Sequence, residues 1–170
     1  VSVYLAELRL HEGPVSKSLT KQTLEVLRDA GSTEDALLPA LTVAWLSDDA
    51  DLIPEVRAVL KRANPEGRVA AYACMALRAL GESSEEFIQL AQRLLHTDKN
   101  ASWGLNALIG VGERGLELVG HWLLSRNAAN PTDNDDLAIR ALYSSPTTRA
   151  LSIRAAVDRC PRGHVLRDGP

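Results

Sequence analysis

Cys160 and His164 are separated by Pro161, Arg162 and Gly163, a spacing that could seat two metal ligands. A structural zinc needs four, usually supplied as tightly spaced pairs. The other cysteine, Cys74, lies in the apolar run YACMALRAL, and His96 and His121 read as surface residues of helices. No metal site is expected. Asp48, Asp49 and Asp51 also resemble a cation loop, but that loop alternates its oxygen ligands and closes with a glutamate. Here Leu52, Ile53 and Pro54 follow at once. A solvated loop leading into a helix N-terminus, where carboxylates face unpaired N–H groups, explains them. Asp133, Asp135 and Asp136 read the same way. The glycine-rich IGVGERG at 109–115 lacks the preceding strand and the Lys-Ser/Thr pair of a phosphate cradle. Its glycines suit helix ends and close helix approaches. No serine stands in a Gly-x-Ser-x-Gly elbow, and Cys74 reads as packing. The expectation is a protein that is not an enzyme and needs no cofactor.

The elements that would position any site follow from composition. Apolar residues make up 45 % of the 170-residue chain and aromatics only 4 %, with a net charge of -3. The apolar content is too high for a disordered chain, and the charge balance disfavours general binding to nucleic acid or membrane surfaces. No apolar run is long enough to span a bilayer. Leucine and alanine dominate, as in closely packed helices, so one all-α domain over 1–170 is expected. Two widely separated cysteines make no disulfide framework and fit a reducing, cytoplasmic setting. The opening VSVYLAELRL lacks the basic start and apolar length of a signal peptide, and with Val1 in place of an initiator Met the chain is expected to be a segment of a longer protein.

Apolar spacing and helix punctuation predict the elements. Val1–His11 reads as a helix, with strand the competing choice. Leu19–Ala30 ends at Gly31, and Ser32 with Asp35 approximates a capping box for a helix running to Leu46. Leu37, Leu38, Leu41, Ala44 and Trp45 would point inward there. Leu52–Ala63 carries Pro54 in its first turn, where proline is tolerated. Arg68–Leu80, stopped by Gly81, should be the most buried helix. A second capping box, Ser83 with Glu86, precedes Phe87–His96. Asn100–Val111 and Gly115–Arg126 follow, then a polar loop at Asn127–Asp135 and a short helix at Asp136–Tyr143. The last helix, Thr147–Cys160, offers Leu151, Ile153, Ala156 and Val157 for packing.

The helices repeat. ALRALGE at 76–82, ALIGVGE at 107–113 and AIRALYS at 138–144 are spaced 31 apart. Leu46, Leu77, Leu108 and Ile139 share one column; Val56, Phe87 and Leu118 share another; Leu60, Ala91 and Trp122 a third. A two-helix unit of this length is the mark of an α-solenoid, with an irregular bundle as the competing reading. Units are expected at 19–49, 50–81, 82–112, 113–144 and 145–160, with a tail at 161–170.

On these two-helix units, with Pro54 or acidic residues at helix openings and the small, leucine-rich Val69, Ala70, Ala73, Ala76, Leu77 and Leu80, the chain resembles the HEAT-like and armadillo-like repeat family. Its units run short of the usual HEAT length, and the Asp-Arg of the inter-helix turn survives only as hints such as Gly67-Arg68. The resemblance implies a right-handed α-solenoid of HEAT-like repeats, about 31 residues each, that binds a protein or peptide on a concave face lined by second helices. On that face the repeat places Tyr72 with Trp103, Arg78 with Ile109 and Arg140, and Arg68 with Lys99 and Asn130. Arg68, Tyr72, Arg78, Lys99, Trp103 and Arg140 are therefore the candidate binding residues. Tyr72 and Trp103 could instead pack between repeats, while Trp45 and Trp122 read as still more buried. An arginine-lined face could grip nucleic acid, the alternative partner, but the acidic balance and the lack of interleaved aromatics argue against it.

Overall fold

A computed structural model describes residues 17–47, 49–126 and 132–159. Val1–His11, Asp48, Asn130, Cys160 and the tail lie outside the described residues. Among the described residues there are nine α-helices: α1 (Lys17–Arg28), α2 (Glu34–Leu46), α3 (Ile53–Arg62), α4 (Arg68–Ala79), α5 (Glu85–Leu95), α6 (Ala101–Val111), α7 (Glu113–Ser125), α8 (Asp133–Ser144) and α9 (Arg149–Arg159). A 3-10 turn, Ala50–Leu52, leads into α3.

Local chemistry sets the boundaries. Pro54 occupies the first turn of α3, where its missing N–H has no intrahelical partner to lose. Gly81, at φ 78°, turns the chain off α4; its own N–H bonds the Arg78 carbonyl and that of Glu82 bonds Leu77. Two expected caps are displaced by one residue. Thr33, not Ser32, precedes α2, because the Ser32 hydroxyl turns back to the Val26 carbonyl at 2.9 Å. Ser84, not Ser83, caps α5 by accepting from the Phe87 N–H, while Glu86 reaches the side chains of Arg57 and Lys61 instead. The expected 127–135 loop is shorter than its sequence suggested, since α8 begins at Asp133. Asp135 is buried rather than solvated. It accepts from the Thr132 N–H at 2.8 Å and lies 3.3 Å from the Arg126 guanidinium.

The helices form two rows. Consecutive helices pair, α1 with α2, α3 with α4, α5 with α6 and α7 with α8. The even helices also pack side by side, α2 on α4, α4 on α6 and α6 on α8; odd neighbours α1 and α3, α3 and α5, and α7 and α9 touch as well. The apolar core lies between the rows. In α4 the buried positions are Ala70, Ala71, Ala73, Cys74, Ala76 and Leu77, and 31 residues later Ala101, Gly104, Leu105, Ala107 and Leu108 repeat all but Ala71, whose counterpart Ser102 in α6 is half-buried. This is a helical-repeat architecture of two-helix units.

The spacing is not constant along the stack. The buried set of α2, Leu37, Ala40, Leu41, Val43 and Ala44, precedes that of α4, Ala71 apart, by 33. Ala44 therefore occupies the Leu77 position, and Leu46, expected in that column, is 51 % exposed. Trp45 is likewise turned out, at 39 % exposure. Ala40, Val43 and Ser47 take one side of α2 into the interior, which sends the Leu38–Thr42–Trp45 side outward. Of the other columns, Leu60, Ala91 and Trp122 are all buried, whereas Leu118 is only half-buried beside Val56 and Phe87. The face expected of α9 is also rotated. Thr148 and Ser152 donate their hydroxyls to the Leu142 and Ile139 carbonyls, so Ser152 and Ala155 turn inward and Ile153 and Val157 outward.

Small residues let the helices close up. A Cβ on Gly104 of α6 would stand 2.4 Å from the Leu95 nitrogen of α5, and one on Gly115 of α7 would stand 1.9 Å from the Leu108 carbonyl of α6. The turns are tied too. The Asn100 amide donates to the Pro65 and Gly67 carbonyls at 2.6 and 2.9 Å, and the Glu66 carboxylate accepts the Asp98 and Lys99 N–H groups at 3.2 Å each.

Candidate functional site

Each even helix buries one side against the core and presents the other outward. The outward positions correspond through the burial register: Thr42, Trp45 and Leu46 on α2; Tyr72, Met75, Arg78 and Ala79 on α4; Trp103, Asn106, Ile109 and Gly110 on α6. On α8 the fully buried Ala138 and Leu142 match Gly104 and Leu108 at a spacing of 34, so Leu137, Arg140, Tyr143 and Ser144 complete the surface. That slip corrects one expected row. Tyr143, not Arg140, lines up with Arg78 and Ile109, and Arg140 falls with Met75 and Asn106.

The aromatics divide cleanly between the rows. Phe87 on α5 and Trp122 on α7 are buried, at 0 % and 5 %. Trp45, Tyr72, Trp103 and Tyr143 all lie on the outward side of even helices. Tyr72 and Trp103 are half-buried, and Tyr143 is 56 % exposed. Tyr72 packs its inner edge on the core, and the Trp103 carbonyl stands 4.0 Å from the Cys74 Sγ.

The charged candidates are more scattered. Arg68 and Lys99 stand at the helix openings, where Arg68 faces Glu34 at 3.7 Å and Lys99 contributes its backbone N–H to Glu66. Arg78 and Arg140 are exposed, and neither makes an ion pair among the described residues. Arg149 stacks on Tyr143 with its guanidinium carbon 5.2 Å from the ring centre, and its Nε donates to the Tyr143 carbonyl. Of the residues that sequence spacing singles out for binding, Tyr72, Trp103 and Arg78 stand at outward positions of α4 and α6; Trp45 and Tyr143, which spacing does not single out, stand at corresponding positions of α2 and α8. The usable signal was Ala44: registering it, rather than Leu46, with Leu77 puts Trp45 in the Arg78 column.

Elsewhere polar groups are used internally. Arg57 of α3 binds Glu82 and Glu86, and Lys61 joins Glu86. Burial pushes the Glu82 carboxyl upward, but the Arg57 guanidinium and the N–H and hydroxyl of Ser84 together hold it below its ordinary value. Glu86 is held low chiefly by Lys61. A hollow of about 420 Å³ opens between the α1–α2 and α3–α4 turns, lined by Ser32, Glu34, Arg62 and Asn64 among others. Its arginine already donates to the Leu27 carbonyl and its asparagine accepts the Glu66 N–H.

Burial pushes the Cys74 thiol up to about 12, leaving no useful thiolate at neutral pH. Among the described residues no group of three or more His, Cys, Asp or Glu could hold a metal ion, and no helix is long and apolar enough to cross a membrane. Comparison with family models, curated proteins and solved structures finds no match to this chain.

Proposed function

We propose that this chain is a non-enzymatic, HEAT-like repeat scaffold of the cytoplasm, wound as a right-handed solenoid, that binds a protein or peptide partner on the outward face of its even helices. One observation carries the reading: the four described aromatics of that row are at least partly exposed on one side, while the two of the odd row are buried. In a chain so poor in aromatics, random surface placement would not sort them by row. Tyrosine, tryptophan and arginine are also the side chains that dominate interface energetics, because they remove large areas from water at small cost in rotamer entropy.

Panning a random dodecapeptide phage library on the whole chain tests this. Recovered clones should lose most of their binding to a Trp45→Ser/Trp103→Ser variant and keep it on Glu117→Ser, which alters the exposed side of α7. Circular dichroism would verify that both variants fold. Clones that bind all three proteins equally, or an empty selection, would remove the even-helix face as the docking site.

A further inference from the structure

We propose that the segment bound there is acidic: a short peptide whose carboxylates pair with Arg78 and Arg140 while its apolar side chains rest on Trp45, Trp103 and Ile109. This rests on the binding-face reading above and adds the chemistry of the partner. The second half of every even helix, residues 40–46, 74–79, 106–111 and 139–144, contains no Asp or Glu. Those stretches carry Arg78 and Arg140, and Arg149 reaches the same region by stacking on Tyr143. The face is therefore locally cationic on a chain whose net charge is -3.

These arginines differ from five others on the molecule, and share the lack of an ion pair among the described residues with Arg62, Arg93, Arg149 and Arg154. Arg28, Arg57, Arg68, Arg114 and Arg126 each have a carboxylate within ion-pair distance. Arg78 and Arg140 have none among the described residues, although Asp136 stands four positions before Arg140 on an exposed side of α8. Arg78 sits in the last turn of α4, where it offsets the helix dipole. Arg140 lies before the last turn of α8, and that role does not explain it. Arg78 also crosses to the next even helix: a Cβ on Gly110 would stand 2.8 Å from its Nε and 3.3 and 3.4 Å from its Cγ and Cδ. An exposed guanidinium there can bind a carboxylate through two N–H groups.

The other charges set the limits of the site. Glu34, Asp35 and Asp133 stand in the first turns of α2 and α8, and Asp136 lies one turn before Arg140 on the same helix. They confine an acidic segment to the second halves of the helices. A phosphate backbone would need many neutralising contacts along its length and would meet those carboxylates. A short acidic peptide meets few of them.

The composition of the selected phage clones, followed by fluorescence anisotropy with their fluorescein-labelled consensus peptide, tests this separately from the docking face. Support is a consensus enriched in Asp and Glu with interspersed apolar residues. Its affinity should fall about tenfold or more with Arg78→Glu or Arg140→Glu, and less with Arg78→Gln. It should also weaken as salt rises. Clones without acidic enrichment that still need Trp45 and Trp103 would overturn the charge inference and leave the face standing. An empty selection, or clones indifferent to every substitution, would overturn both. Tighter binding of fluorescein-labelled oligothymidylate than of the peptide, lost with Arg78→Glu, would overturn the acidic-peptide inference in favour of nucleic acid.

Discussion

The Arg78 side chain lies across Gly110, close enough that a Cβ on the glycine would stand 2.8 Å from the Arg78 Nε. The contact ties the outward surfaces of α4 and α6 together through a flexible side chain. Gly110→Ala should therefore be tolerated and should stabilise the helix by about 0.5 kcal/mol, because alanine loses less backbone entropy. The same change should push Arg78 off its seat and weaken binding of an acidic peptide. Gly115→Ala is the contrast. Its Cβ would run into the Leu108 carbonyl, which cannot swing aside, so α7 must move off α6 at a cost of about 3 kcal/mol or more. Chemical denaturation of both variants checks the opposite signs.

The Arg57–Glu82 contact governs the acid limb of stability. Glu82 is held below its ordinary 4.5 in the folded chain, so above that value the unfolded chain gains nothing by binding a proton there and the contribution is complete. As pH falls from about 4.5 through the depressed native value, that contribution is lost. Glu86 acts in the same direction. Arg57→Ala should cost about 2 kcal/mol at neutral pH, since the Glu82 side chain, only 6 % exposed, is left without its counter-charge. It should also flatten the stability profile below pH 4.5. Urea melts across that range would measure both effects, and an unchanged slope would show that the pair is not the titrating element.

The two kinds of tryptophan should respond differently to truncation. Trp122 is buried, with the Arg126 guanidinium 4.8 Å from its ring centre, and Trp122→Ala should cost about 3–5 kcal/mol. Trp103 is half-buried on the outward side of α6, and Trp103→Ala should cost about 1 kcal/mol. Thermal melts of the two variants side by side decide it; equal losses would place Trp103 in the core.

Cys74 should be silent toward thiol reagents in the native chain. In a Cys160→Ser background, Ellman's reagent at pH 8 should modify Cys74 only as the protein opens, because the thiol is fully buried and its ionisation is pushed to about 12. Modification as fast as that of a free thiol would mean the α4–α6 contact opens readily.

The helices of this chain were readable from sequence because their signals are local: apolar spacing, Gly81, Pro54 and the alanine-rich α4. The 31-residue period also described α4 and α6 closely, the buried Ala71 against the half-buried Ser102 being the exception. It failed at both ends of the stack, for a reason no single helix reveals. Which side of a helix faces in depends on its neighbours, so Trp45 and Ile153 looked inward by spacing alone. The competition between Ser84 and Ser83 for one cap, and the pairing of Asp135 with Arg126, depend on distances that spacing does not encode.

The Asn100 amide and the Glu66 carboxylate give a final consequence, for how this chain can be divided. The α3–α4 turn is finished by residues that arrive only with the α5–α6 turn. Cut the chain after Gly81, and the carbonyls of Pro65 and Gly67 lose the Asn100 amide while Glu66 loses the two backbone N–H groups it holds. Cut it before Glu85, and Asn100 is left without a turn to close. Neither helix pair is then a self-contained part, and a useful excision must keep 53–111 in one piece.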